Sequence, residues 1–161
     1  MKFYKISENQ FYKDFNELKD ITYEELILPK RATKYSAGYD FFAPYTIHMH
    51  PGETVKIPTG IRVELDPDKV LICVPRSGLG FRYGLELTNT LGIIDADYFN
   101  SDNEGHIWVK LHYPHYMKNE ELIINKGEAM FQGIIISYFT TENDNTSAIR
   151  NGGFGSTTPN K

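Results

Sequence analysis

The feature that most restricts this chain is its rhythm after Ala43: short alternating runs of apolar and polar residues, each closed by a turn signal. Tyr45–His50 alternates and meets Pro51-Gly52. Val55–Ile57 meets Pro58-Thr59-Gly60, and Ile61–Leu65 meets Asp66-Pro67-Asp68. Alternation places two sets of side chains on opposite faces of an extended strand, and proline and glycine then turn the backbone. Further strands are expected at Val70–Val74, Leu85–Asn89, His106–His112, Leu122–Ile124 and Phe131–Phe139. Many short strands at this spacing predict an all-β sandwich, jelly roll or barrel.

The flanks differ from this pattern. Residues 1–28 form an aromatic-rich extension. There Ser7 and Gln10 resemble a helix-capping box, and Phe11, Phe15 and Leu18 recur at helical spacing. A short amphipathic helix over about 8–19 is expected, packed on the domain. Residues 29–139 carry the strands. Residues 140–161 are polar and glycine-rich, with little to bury, so a mobile arm is expected in the absence of ligand. Residues 99–105 read as a polar loop.

The chain has 161 residues, 40% of them hydrophobic, enough for one domain with a substantial core. Its net charge of −4 argues against a nucleic-acid surface, which needs a basic footprint. A single nucleotide remains compatible, because a few local arginines and Mg²⁺ can neutralise a triphosphate. The lone Cys73 sits in an apolar run, forms no internal disulfide, and reads as a small buried hydrophobe. No apolar stretch approaches the roughly 20 residues of a membrane span, and Met1–Lys5 leads into charged residues rather than a leader. No membrane partner and a cytoplasmic location are expected. His48 and His50 lie on one side of a strand but lack a third ligand at sensible spacing, so they read as a solvated face.

Three polar glycine-containing segments carry candidate chemistry: Pro75-Arg76-Ser77-Gly78, the stretch Gly92 to Tyr98, and Arg150 to Thr157. Arg76, Ser77 and the Gly78 amide can together grip phosphate oxygens, since arginine offers forked charged donors and glycine lets the backbone approach closely. The last segment repeats that chemistry and sets Phe154 between glycines, where its ring can cover a base. No Gly-Lys-Ser/Thr follows, so neither is a Walker A loop. Each segment taken singly also reads as an ordinary turn.

Together with their surroundings these segments resemble the dUTPase family, from about Leu28 to Thr157. Ala37-Gly38-Tyr39-Asp40-Phe41-Phe42-Ala43 resembles its first motif and Pro75 to Gly80 its second. Asn89 through Tyr98 resembles the third, Lys126 to Gln132 the fourth and Arg150 to Thr157 the fifth. Five motifs in order are specific where one is not. The resemblance implies a distorted jelly-roll β-barrel with a short N-terminal helical extension and a flexible C-terminal arm. It also implies a homotrimer whose sites are shared between chains, and hydrolysis of dUTP to dUMP and pyrophosphate with Mg²⁺.

It further implies residue roles. Asp95 would be the general base that aims water at the α-phosphorus. Arg76, Ser77, Gly78, Gln132, Arg150, Gly155 and Ser156 would hold the phosphates. Asn89 and the main chain of Gly92 and Ile94, within a hairpin, would read uracil. Tyr98 would pack on the deoxyribose, and Phe154 would stack on the base as the arm closes. Asp40 would act on the metal through water. The chain departs from the family pattern at Ala129, where a basic residue is usual, in a fifth motif one residue short, and in longer segments at 1–28 and 99–105.

Two other readings have distinct signatures. The sister dCTP deaminase family places a catalytic glutamate where this chain has Lys110, and lacks the Gly-Gly-Phe-Gly arm. A dUTP-binding interaction protein would use the segments 1–28 and 99–105 as docking surfaces for a regulatory protein partner.

Overall fold

The computed structural model of the chain describes residues 1–18, 20–117, 121–148, 150 and 152. Its elements in chain order are β1 (Lys2–Lys5), α1 (Glu8–Asp14), β2 (Lys30–Arg31), β3 (Tyr39–Phe42), β4 (Ile47–Met49), β5 (Thr54–Pro58), β6 (Ile61–Glu64), β7 (Lys69–Pro75), α2 (Ser77–Tyr83), β8 (Glu86–Leu87), β9 (Gly92–Asp95), β10 (Trp108–His112), β11 (Leu122–Ile124) and β12 (Ala129–Ser137). Short 3-10 turns cover Tyr23–Glu25 and Ala96–Asn100.

The strands form four antiparallel sheets, ordered β2-β3-β12-β7-β9, β5-β10-β8, β11-β4 and β1-β6. Among the described residues these are separate ladders, an arrangement consistent with the expected jelly roll. One core nonetheless joins them. Phe41 of β3, Met49 of β4, Ile57 of β5, Val63 of β6, Leu71 of β7, Leu87 of β8, Leu111 of β10, Ile124 of β11 and Phe131 of β12 are all buried in a single cluster. The alternation read from the sequence selects them: in β10, Val109 and Leu111 point inward while Lys110 faces solvent. Phe41 and Phe131 stack with ring centres 4.5 Å apart.

Four strands arise where the alternation pattern gave no sign: β1, β2, β3 and β9. Lys2–Lys5 has a lysine at each end and two aromatics between, with no alternation, yet it is extended because its backbone pairs with β6 from Lys2 opposite Glu64 to Lys5 opposite Ile61. Pairing decided this strand, not burial.

The expected N-terminal helix is present but ends at Asp14 rather than about residue 19. Ser7 caps it, accepting from the Gln10 amide at 3.1 Å. The reciprocal half of the capping box is not made. The Gln10 side chain turns instead to Asp14 at 2.7 Å, and the Ser7 amide donates to Glu104 at 2.8 Å. Ile6, Phe11, Phe15, Ile21 and Leu26 bury a second, smaller cluster beneath the helix. Cys73 is buried, which pushes its thiol up to about 12 and leaves it unreactive at neutral pH.

The extension and the 99–105 segment contact each other. Besides Ser7 on Glu104, the Tyr4 and Phe99 rings lie 5.8 Å apart, and Arg62 donates to the Phe99 carbonyl at 2.6 Å. Arg62 also sits over the Phe99 ring, 3.6 Å from its centre. Gly105 ends the segment at φ +69°, and a Cβ there would lie 2.7 Å from the Tyr98 carbonyl, so only glycine fits. The surfaces expected to dock a regulatory partner are thus partly committed to one another.

Candidate active site

The candidate residues lie in two groups, one just after strand β7 and one on and around β9, which pairs with it. At the Pro75 end the chain turns into α2, with Arg76 at its N-cap and Ser77 and Gly78 in its exposed first turn. Amides of a first helical turn have no intrahelical acceptor, so this turn offers an arginine, a hydroxyl and free N–H groups on one exposed surface. The sequence left the segment as a turn because Gly78 and Gly80 disfavour helix; the left-handed Gly84 then terminates it.

Two neighbours hold this turn. Arg76 Nε donates to Asp40 Oδ1 at 3.1 Å. Gln132 lies opposite Asp40 on one side and Val74 on the other. Its Nε2 donates to the Pro75 carbonyl at 3.3 Å. Gly38 makes room for it: a Cβ there would fall 2.2 Å from Gln132 Oε1. Asp40, Arg76, Ser77, Gly78 and Gln132 are therefore brought together. Ala129, at the start of β12, stands opposite Phe42 and adds no charge there.

At the other end of β7, β9 pairs along one edge only, with Asp95 opposite Val70 and Gly92 opposite Cys73. It is the outer strand of its sheet, and among the described residues its other edge takes no backbone hydrogen bond. That edge borders a cavity of about 350 Å³ lined by Asn89, Gly92, Ile94, Asp95, Tyr98 and Arg150, with Ile107 and Trp108 among the remaining walls. A second, more apolar cavity of about 220 Å³ shares Asn89, Gly92, Ile94 and Trp108. All the base- and sugar-site residues expected within the described chain thus face a common cleft.

The expected hairpin is not formed. β8 pairs with β10 and β9 with β7, so residues 88–91 pass from one sheet to another. A tight turn makes the passage, with the Leu91 amide donating to the Asn89 carbonyl at 2.7 Å and Thr90 at φ 68°. A non-glycine residue there costs about 1 kcal/mol or more, and such strain collects at binding sites.

Tyr98 is buried and its hydroxyl is fully used. It donates to the His106 carbonyl at 2.8 Å and accepts from Asn103 Nδ2 at 2.8 Å. Burial raises its pKa above the ordinary value, which keeps it a neutral donor. The ring, not the hydroxyl, is left for the cavity. Arg150 donates to Asp95 Oδ2 and, at 2.8 Å, to Asp97 Oδ1. The guanidinium expected on phosphate thus pairs with the two carboxylates. Phe154, Gly155 and Ser156 lie outside the described residues.

The sequence reading missed Trp108 and Asp97. Trp108 is the single tryptophan, and the inward alternation of Val109 and Leu111 already sets it on another face. Asp97 had a signal too, standing two residues from Asp95.

The chain matches the dUTPase family model over residues 24–158. A Lactococcus lactis deoxyuridine 5'-triphosphate nucleotidohydrolase is 40% identical over 133 residues, spanning 81% of this chain and 87% of that protein. The enzyme of that name from Hahella chejuensis is 36% identical over 141 residues, 83% of this chain and 88% of that one. Among solved structures, a dUTPase from Streptococcus mutans superposes with a TM-score of 0.69 at 30% identity, covering 89% of this chain and all of that one. The dUTPase of phage phi11 of S. aureus shares the fold at a TM-score of 0.65 and 20% identity, over 92% of this chain and 96% of that one. The fold is an antiparallel β architecture with a cleft beside its outer strand β9. The chain is a member of the dUTPase family.

Proposed function

We propose that this enzyme hydrolyses dUTP to dUMP and pyrophosphate. The reading rests on the cavity that brings Asp95 and Tyr98 to the unpaired edge of β9. A pyrimidine set against that edge meets main-chain donors and acceptors of fixed polarity. Cytosine carries a donor where uracil carries an acceptor, and a buried mismatch of that kind discriminates by about 10⁴-fold. The Tyr98 hydroxyl is committed elsewhere, so a ribose 2′-hydroxyl packed on its ring would lose its water without gaining a partner.

Asp95 orients a water and takes its proton. The water oxygen bonds to the α-phosphorus as the bond to the α,β-bridging oxygen breaks, and pyrophosphate leaves. Arg76, Ser77 and the Gly78 amide stabilise charge gathering on the leaving group, with Gln132 bracing the turn beneath them. Arg150 moves from Asp95 to the phosphates when nucleotide enters, freeing the base. Phe154, Gly155 and Ser156 close over uracil and phosphate with the arm.

A divalent cation suits this donor set as an ion carried by the substrate. Asp40 offers a single carboxylate, already shared with Arg76, which favours contact through water. Magnesium, which keeps several waters, is the ion assigned, and it neutralises phosphate charge.

The sites are shared between subunits of a homotrimer. Asp95 faces Val70, and Val70 is about 17 Å along β7 from Pro75, where the phosphate turn begins. Arg76 is held on Asp40 beyond the far end of β7 from Asp95, which favours a second copy supplying the turn.

Pyrophosphate release measured in parallel on dUTP, dCTP, dTTP and UTP tests the assignment. The expected result is turnover of dUTP alone, with Asp95→Asn keeping dUTP binding but losing about 10²- to 10⁴-fold in kcat. Comparable turnover of dCTP, or an undiminished rate in the variant, would refute it.

A further inference from the structure

Behind the cavity wall lies a buried histidine that the reaction above does not use. His106 is fully buried, and its two ring nitrogens are both engaged. The Gly60 amide donates to Nε2 at 2.8 Å, so that nitrogen is unprotonated. The proton therefore sits on Nδ1, which donates to Asp14 Oδ2 at 2.6 Å. Asp14 closes α1, and its carboxylate is steadied by Gln10 Nε2 at 2.7 Å. The Phe15 ring stacks on the imidazole at 6.1 Å, and the Trp108 ring meets it at 5.2 Å. The next link is the main chain: the His106 carbonyl accepts the Tyr98 hydroxyl. The two residues that follow His106, Ile107 and Trp108, line the same cavity as Tyr98.

We propose that Asp14 and His106 are positioning residues for sugar selection. The N-terminal helix presents a carboxylate that fixes the imidazole's orientation; the imidazole fixes the main chain at 106, and that main chain sets the Tyr98 ring and the adjoining cavity wall. The extension is thus part of the specificity apparatus and not an appendage to it. The inference depends on the dUTP reading of the cavity and on Tyr98 facing the sugar.

The test measures kcat and KM for dUTP and UTP in the full-length enzyme and in Asp14→Ala and Asp14→Asn. A carboxamide oxygen still accepts from Nδ1–H, so the asparagine variant keeps the orienting bond while alanine deletes it. With Asp14→Ala, the ratio of kcat/KM for dUTP over UTP should fall about tenfold, through a higher KM for dUTP and with kcat nearly unchanged. Asp14→Asn should restore most of that ratio. Unchanged ratios in Asp14→Ala with only a lower melting temperature would overturn the proposal, as would an asparagine variant no better than alanine. If Asp14→Ala does not fold, nitrogen-15 spectra of the wild-type imidazole decide. A non-hydrolysable dUTP analogue should shift the His106 Nδ1–H signal, and no shift at saturation refutes the link. Failure of the wild-type enzyme to split dUTP would instead remove the functional reading itself.

Discussion

At the scale of single residues, His106 shows how burial converts a titratable group into a structural one. Burial lowers its pKa, against the opposing pull of Asp14 and Glu104. The unfolded chain takes up a proton below about pH 6.5, while the folded chain resists it. Stability from this group is therefore complete above pH 6.5 and is lost as pH falls through the depressed folded value. Urea unfolding between pH 8 and pH 5 should show that decline, and His106→Gln should flatten it. A parallel decline in the variant would assign the effect to other groups. Asp95 illustrates the complementary case: it is half-exposed on a strand end, with Arg150 beside it, so its chemistry depends on what occupies the cavity.

At the scale of elements, the longer N-terminal segment and the 99–105 segment make sense only as a pair. The Ser7 hydroxyl both accepts from the Gln10 amide to cap α1 and donates to Glu104 Oε1 at 2.5 Å, so one side chain supports a helix end and a loop. Ser7→Ala should reduce unfolding free energy by about 1 kcal/mol through loss of the cap, with a further loss from the freed Glu104. Ser7→Asp, which still caps but brings a second carboxylate to Glu104, should separate the two contributions in the same denaturation experiment. Strand β9 makes the opposite use of its surroundings. Among the described residues it is paired on one side and open on the other. An open edge is ordinarily an aggregation hazard, and here it borders a cavity where a base can satisfy it.

At the scale of the whole molecule, Arg76 follows one end of β7 while Asp95, on β9, pairs with Val70 near the other end. The proposed sharing of sites between copies predicts complementation. Arg76→Ala and Asp95→Asn should each be nearly inactive alone. Co-expressed and assembled at random, they should recover activity in about a quarter of the shared sites, because each site draws the two residues from different chains. Co-purified mixtures without recovered activity would show that each chain builds its own site. Light scattering on the same samples reports the number of copies.

Much of this was open to sequence reading because it rests on local rules. The alternation at Ile61–Leu65 and His106–His112 shows in β6 and β10 because side-chain direction in a strand has a period of two, and the apolar run Val70–Val74 falls in β7. The order of polar glycine segments was equally legible, and its resemblance to the dUTPase family implied roles for Asp95, Tyr98 and Arg76. Local rules do not say which strand pairs with which. Only the tertiary structure made Lys2–Lys5 a strand, gave β8 and β9 different partners in place of a hairpin, and left the outer edge of β9 open. The link from Asp14 to His106 spans 92 positions in the chain and has no sequence period to announce it. Composition and spacing decide what each segment can form; contacts between distant segments decide which of those forms meet at a site.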